Sequence, residues 1–222
     1  MNGVLTTGQK LPSERELGIS YRVSRTVVRE ALSGLAERGF IAIHPGRGSF
    51  VRAPQASDLS QPVVRIATNA GVTSRNLVQA RELIECAAAR GAAHQASSED
   101  IIRLRELLEL HTSATTLAGR VDTDLEFHQR IAESSGNPVL TLMFGAISTF
   151  VTDLMYRSHS DSAVREIGDP LHEEIVSRIE THDADGAERA MRRHIELALE
   201  LFGDDVDRPL SEVARDLIVH SN

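Results

Sequence analysis

Apolar residues recur along most of this chain at steps of three and four, the period of helices with one buried face. Only residues 40–51 break that period. The string Pro12-Ser13-Glu14-Arg15-Glu16-Leu17 predicts a helix over 12–22, capped by Ser13 and carrying acids in its first turn. After a break at Tyr21-Arg22-Val23, Ser24 caps a second helix. Its apolar stripe is Val28, Ala31, Leu32 and Leu35, and Gly39 ends it. Phe40–Ile43 and Ser49–Val51 read as two strands around a turn, His44-Pro45-Gly46-Arg47-Gly48.

Residues 53–62, A-P-Q-A-S-D-L-S-Q-P, read as a linker. Beyond it the pattern is helical throughout. Helices are predicted over 63–70, 74–95, 98–118, 121–135, 138–158, 162–181 and 184–203, with Ser98 opening the third of these. Asp169-Pro170 either opens a fresh helix or kinks the sixth. A tail helix over 208–219 aligns Leu210, Val213, Ala214, Leu217 and Ile218 on one stripe. The expected fold class is mainly α: a winged helix-turn-helix with a small β-hairpin over 1–52, a linker over 53–62, and an all-helical bundle over 63–222.

Composition narrows this picture. Aromatic residues are 4% and Trp is absent, so the bundle core must be Leu, Ile, Val and Ala. The single cysteine, Cys86, excludes an internal disulfide and suits a reducing cytoplasm; its apolar helical setting makes it a small core residue. Residues 134–152 carry no charge, but Ser134, Ser135, Gly136, Asn137 and Pro138 make them too polar for a membrane span. They predict a buried central helix after Pro138. The net charge of −8 is unevenly divided. Residues 1–52 hold eight Lys/Arg against four Glu, a net of +4, and the remainder holds 16 against 28, a net of −12. A basic head on an acidic body fits a nucleic-acid-binding module fused to another function.

The candidate chemistry is concentrated in four residues. Asp124 and His128 stand four apart in D-L-E-F-H, on one helix face. His172 and His194 follow on later helices. Three imidazoles and a carboxylate suit a divalent ion, zinc foremost, with nickel, manganese or iron as alternatives. His44, His94, His111, His159, His182 and His220 are expected as surface or cap residues.

In the head, the second helix presents Arg25, Thr26 and Arg29 near its N-terminus, where recognition helices meet base edges and phosphates. The turn places Arg47 between two glycines, so backbone and cation can approach a groove. The strings L-P-S-E-R-E-L, V-S-R-T-V-V-R-E-A-L-S-G-L-A-E-R-G-F-I and P-G-R-G-S-F-V resemble the DNA-binding domain of the GntR family of bacterial transcription regulators over residues 8–52. The resemblance implies that Arg15, Arg25, Thr26, Arg29 and Gly46 contact operator DNA. It also implies a helix before this segment, with N-G-V-L-T-T-G-Q-K-L-P matching the connector that follows it. Two positions depart from the family pattern: Arg22 stands where the turn's Gly is usual, and Gly18 where Ala is usual. Gly18 costs its helix about 1 kcal/mol.

The bundle resembles the FCD group, the FadR-like branch of that family, through R-E-L-I-E at 81–85, D-L-E-F-H-Q-R-I-A at 124–132 with S-G-N at 135–137, L-H-E-E-I at 171–175 and A-M-R-R-H-I at 190–195. That resemblance implies one divalent metal on Asp124, His128, His172 and His194. Arg81 is the candidate cation for a carboxylate effector, with an intrahelical pair to Glu85 as the alternative. Asn137 is either a hydrogen-bond donor near the site or the cap of the helix starting at Pro138.

These expectations describe a homodimeric cytoplasmic regulator, a repressor by family resemblance. It binds a palindromic operator and senses a small carboxylate metabolite at the metal. Two other readings compete. A hydrolase-type metalloenzyme would use the same ligands with Glu126, Glu173 or Glu174 as base, although Glu126 faces away from Asp124 and His128. The other makes the ion a structural scaffold alone.

Overall fold

The computed structural model describes residues 5–53, 55–210 and 212. The chain forms two compact units, residues 1–58 and 59–222.

In the first unit, helix α1 (Glu14–Tyr21) is closed at its start by a capping box. Ser13 accepts from the Glu16 backbone, and Glu16 reaches back to Ser13. Its stop is made by Arg22 in the left-handed region, φ 56°. Arg22 thus takes the conformation that glycine would adopt more cheaply. Gly18 is buried there, and a Cβ on it would meet the Val23 carbonyl oxygen at 3.1 Å, which accounts for its small size. Helix α2 (Arg25–Glu37) starts at the Ser24 cap and buries Val28 and Leu32 against Ile41, with Leu11, Leu17 and Ala36 around them. Strands β1 (Ile41–His44) and β2 (Gly48–Val51) pair antiparallel, Ile41 opposite Val51 and His44 opposite Gly48. The segment before α1 extends this wing: Leu11 donates to Ser49 O and Gly8 to Val51 O.

Gly39 follows α2 with φ 78°. Arg52 donates from Nε to the Gly39 carbonyl and pairs with Asp58. A Cβ on Gly39 would collide with both the Arg52 guanidinium and the Asp58 carboxylate. Gly39→Ala is therefore expected to destabilise the protein by about 1–3 kcal/mol, read from urea unfolding of the full chain. The same contacts order part of the segment expected as linker. A 3-10 turn occupies Ala56–Leu59, and the next helix starts at Ser60.

The second unit contains, among the described residues, α3 (Ser60–Asn69), α4 (Ser74–Gln95), α5 (Ser98–Ser113), α6 (Leu117–Ser134), α7 (Pro138–His159), α8 (Ser162–Glu180) and α9 (Ala184–Phe202). Small residues Ala88, Ala89, Ala92 and Ala93 line the buried face of α4. They let α9 approach closely with Ala187, Ala190 and Met191. Leu104, Leu107, Phe127, Ile131, Phe144, Ile175 and Ile179 complete the core.

The boundary between α5 and α6 differs from the expected one. Helix α5 opens at Ser98, as expected, behind the Ser97 cap, whose hydroxyl accepts from the Asp100 N–H in a capping box. That helix ends at Ser113, since Thr116 caps α6 and starts it at Leu117. Pro170 lies inside α8 and does not open a new helix. Helix α7 is long and apolar enough to cross a membrane by length and composition. Here it packs against α3, α4, α6 and α8. Of the expected tail stripe, Leu210 is buried and donates to Val72 O. Val213, Ala214, Leu217 and Ile218 lie outside the described residues, as does His220.

Candidate functional site

Three helices bring the predicted ligands together. Asp124 and His128 lie one turn apart on α6, His172 is on α8 and His194 on α9. Their ligand atoms all fall within 4.8 Å of one another. The Nε2 atoms of His128 and His172 stand 3.4 and 3.1 Å from Asp124 Oδ1, and His194 Nε2 stands 3.2 Å from His128 Nε2 and 3.3 Å from His172 Nε2. Ligands about 2.0–2.1 Å from one ion stand about 3.4 Å apart at tetrahedral corners and about 3.0 Å apart at neighbouring octahedral corners. The observed spacings fall in that interval.

The hydrogen bonding supports the same reading. Asp124 Oδ1 is buried and receives no hydrogen bond of acceptable geometry, despite the imidazole nitrogens around it. A buried carboxylate oxygen left this way needs a partner, and a cation at the centre of the four atoms supplies it. The donor set therefore fits a divalent ion.

The surrounding groups prepare the ligands. Burial works against the Asp124 carboxylate, yet the three histidines around it hold it well below its ordinary range. Burial keeps His172 and His194 below the usual imidazole value, His194 well below, so both are in the neutral form that ligates. Burial also disfavours charge on His128, but the Glu85 and Asp124 carboxylates outweigh it and raise that imidazole to about 9. Glu85, 1% exposed, contacts His128 Nδ1 through Oε2 and accepts from Arg81 Nε at 2.6 Å through Oε1. A carboxylate on the far nitrogen of a ligating histidine fixes the ring's orientation.

A cavity of about 40 Å³ opens on this centre. Arg81, Asp124, His172 and His194 form part of its wall, with Ser158, His159 and Asp169 opposite or beside them. Arg81 thus both pairs with Glu85 and reaches the cavity. Asn137 does not reach it: its Oδ1 accepts from the Val139 N–H and caps α7 at Pro138. The structure thus places it as a helix cap.

Two histidines correct the expectation of surface or cap positions. His159 is buried, and its Nε2 donates to Asp124 Oδ2 at 2.8 Å. His111, also buried, bonds Arg120 O through Nδ1 and faces Asp169 Oδ1 at 3.3 Å through Nε2. Arg120 donates to the other oxygen of Asp169 at 2.9 Å. Sequence offered no signal for either histidine, because burial depends on which helices meet over them. Glu85 carried a weak signal, a lone carboxylate inside the apolar run I-E-C-A-A-A. Of the acids considered as a catalytic base, Glu126 pairs with Arg103 on the surface, Glu173 with Arg105 and Glu174 with Arg193.

In the first unit, Arg15, Arg25, Gly46 and Arg47 line one groove together with Lys10 and Glu14. Gly46 has φ 72° at the hairpin tip, and the Arg47 N–H closes the turn on His44 O at 3.0 Å. Thr26 and Arg29 are exposed on the first two turns of α2. Cations and an accessible backbone thus converge on one face.

Comparison with known proteins follows the same division. Residues 1–51 match the family described as bacterial regulatory proteins, gntR family, and residues 76–197 match the FCD domain. The Uxu operon transcriptional regulator of Escherichia coli is 33% identical over 200 residues, covering 85% of this chain and 76% of the relative. The HTH-type transcriptional repressor NanR of the same species is 32% identical over 200 residues, covering 85% and 74%. A solved GntR structure from Streptococcus agalactiae has a TM-score of 0.62 at 25% identity, covering 88% of this chain and 91% of that one.

Proposed function

We propose that this chain, which belongs to the gntR family of bacterial regulatory proteins and carries an FCD domain, is a cytoplasmic, metabolite-responsive repressor that senses a small organic acid at a metal-containing pocket. It is a DNA-binding transcription regulator and not an enzyme, as its family and relatives are. The observation that carries the sensing role is the cavity: three of the four candidate ligands form part of its wall beside the Arg81 guanidinium.

Asp124, His128, His172 and His194 would hold the ion, zinc in preference to nickel or manganese. When bound, such an ion supplies a Lewis acid for a carboxylate oxygen. Arg81 orients the same carboxylate, because its side-on bond to Glu85 leaves other guanidinium N–H groups for it. Ser158 and Asp169 offer a hydroxyl and an acceptor to the rest of the effector. The small volume limits entry without rearrangement to a few heavy atoms, so a larger acid must displace the lining. That displacement is how occupancy reaches the surrounding helices.

Residues 1–52 read the operator and 63–222 hold effector and dimer contact, joined by 53–62. Arg15, Arg25, Thr26, Arg29, Gly46 and Arg47 form the DNA surface, with phosphates as the main contacts and base edges reached from the start of α2. Two copies bind a palindrome. The apolar residues Leu142 and Met143 on the uncharged half of α7 and Leu83 on α4, each at least 46% exposed, are candidates for the face between them.

Replacement of Arg29 by Gln is expected to weaken operator binding about 10- to 100-fold. Fluorescence anisotropy with a fragment of the promoter region checks this at several salt concentrations. Equal binding by variant and parent would remove Arg29 from the DNA surface.

A further inference from the structure

The groove that faces outward from the first unit contains two acids among its cations, Glu14 and Glu16. Glu16 is occupied locally, since its Oε2 accepts from the Ser13 N–H and hydroxyl in the capping box of α1. Glu14 makes no such local bond. It reaches across to α2, where Arg29 donates to it side-on, Nε to Oε1 at 3.1 Å and Nη2 to Oε2 at 3.0 Å. Arg25 Nη2 lies 3.9 Å from the same Oε2. The two guanidinium side chains are 67% and 69% exposed, and the carboxylate between them is 30% exposed.

A carboxylate in a surface meant for polyanionic DNA repels phosphate and lowers sequence-independent affinity. Its presence needs a return. A guanidinium has five N–H groups, and the side-on bond uses Nε and one N–H of Nη2. The forward-pointing N–H groups of Nη1 and Nη2 stay free, and these form the fork that reads two acceptors on a guanine edge. A long, exposed side chain otherwise spends its time in many rotamers. Held against Glu14, the Arg29 plane is fixed before DNA arrives.

We infer that Glu14 is a positioning residue for operator recognition: it aims the Arg29 fork, steadies Arg25, and suppresses binding to non-operator DNA by its charge. This rests on the reading of Arg25 and Arg29 as DNA contacts. The aimed fork raises the ratio of specific to non-specific affinity, while the charge lowers the sequence-independent part of binding. An exposed ion pair that only joined α1 to α2 would contribute little to stability and nothing to that ratio.

The test uses the full-length protein, a duplex it selects from a randomised pool, and a scrambled duplex of equal length. In Glu14→Gln, affinity for the scrambled duplex is expected to rise about 3- to 10-fold and the specific-to-scrambled ratio to fall about 10-fold. The slope of log affinity against log salt on the scrambled duplex steepens by about one. Glu14→Asp keeps the charge but is one methylene short of side-on contact. It is expected to lose selected-duplex affinity with no gain on the scrambled one. In an Arg29→Gln background, Glu14→Gln should leave the ratio where Arg29→Gln alone puts it. An unchanged ratio in Glu14→Gln overturns the proposal. Both affinities rising together would mean simple repulsion, and both falling with the melting temperature would mean a role in folding; either result overturns it as well. If Arg29→Gln alone binds the selected duplex normally, it is the DNA-contact reading that has failed, and this proposal with it.

Discussion

Glu85→Ala is expected to destabilise the helical unit by about 3–5 kcal/mol, the range found when one partner of a buried ion pair is removed. The Glu85 carboxylate is 1% exposed and lies between Arg81, 4% exposed, and His128, fully buried. Alanine leaves both without their anion. Thermal unfolding measured beside Arg90→Ala supplies the contrast. Arg90 pairs with Asp185 and Glu188 on the surface, and its loss is expected to cost under about 1 kcal/mol. Similar losses for the two variants would show that the Glu85 network is not what holds this region.

The same carboxylate sets an acid limit. Burial raises the Glu85 pKa, but Arg81 and His128 outweigh it and place it at about 2, against an ordinary 4.5. A carboxyl depressed in the folded state contributes stability that is fully present above 4.5 and is lost as pH falls toward 2. Unfolding between those values should flatten in Glu85→Gln, which has no carboxyl to protonate there.

The second large effect is metal loading. Zinc at about a thousandfold excess over its dissociation constant is expected to stabilise the folded chain by about 4 kcal/mol. For a unit of this size that raises the melting temperature by about 8–16 °C. Chelator should reverse the shift, and His172→Ala should abolish it. His128 at about 9 is protonated at neutral pH when metal-free, so binding must displace that proton. Calorimetry at pH ~7.5 in buffers of different ionisation enthalpy should therefore report about one proton released per ion. Loading that leaves melting temperature and proton balance unmoved would exclude these residues as a ligand set.

Much of this is legible before the helices are placed. Caps announce themselves: Ser13 with Glu16 marks the start of α1, Ser24 marks that of α2, and α4 runs over the predicted 74–95. The errors come where two signals compete. Apolar spacing continues past His111, while Thr116 is already a cap for the next helix, so the expected helix overran Ser113 as far as 118. The four candidate ligands are visible because two share a helix face and the rest match a family pattern. His111 and His159 are not, since a lone histidine carries no mark of burial; only the meeting of α5, α6, α7 and α8 encloses them. Asn137 shows the opposite limit. Its place before Pro138 already suggests a cap, and the Val139 N–H it accepts is a local bond that family resemblance could not rank against a site role.

The proposed sensing role depends on Asp124, His128, His172 and His194 holding one ion together. Metal content per chain, measured by mass spectrometry after equilibration with zinc, nickel or manganese and removal of free metal, tests it most directly. About one ion per chain is expected in the parent and almost none in His172→Ala or His194→Ala, with both variants still folded by circular dichroism. A parent that retains no metal, or variants that retain as much as the parent, would contradict it.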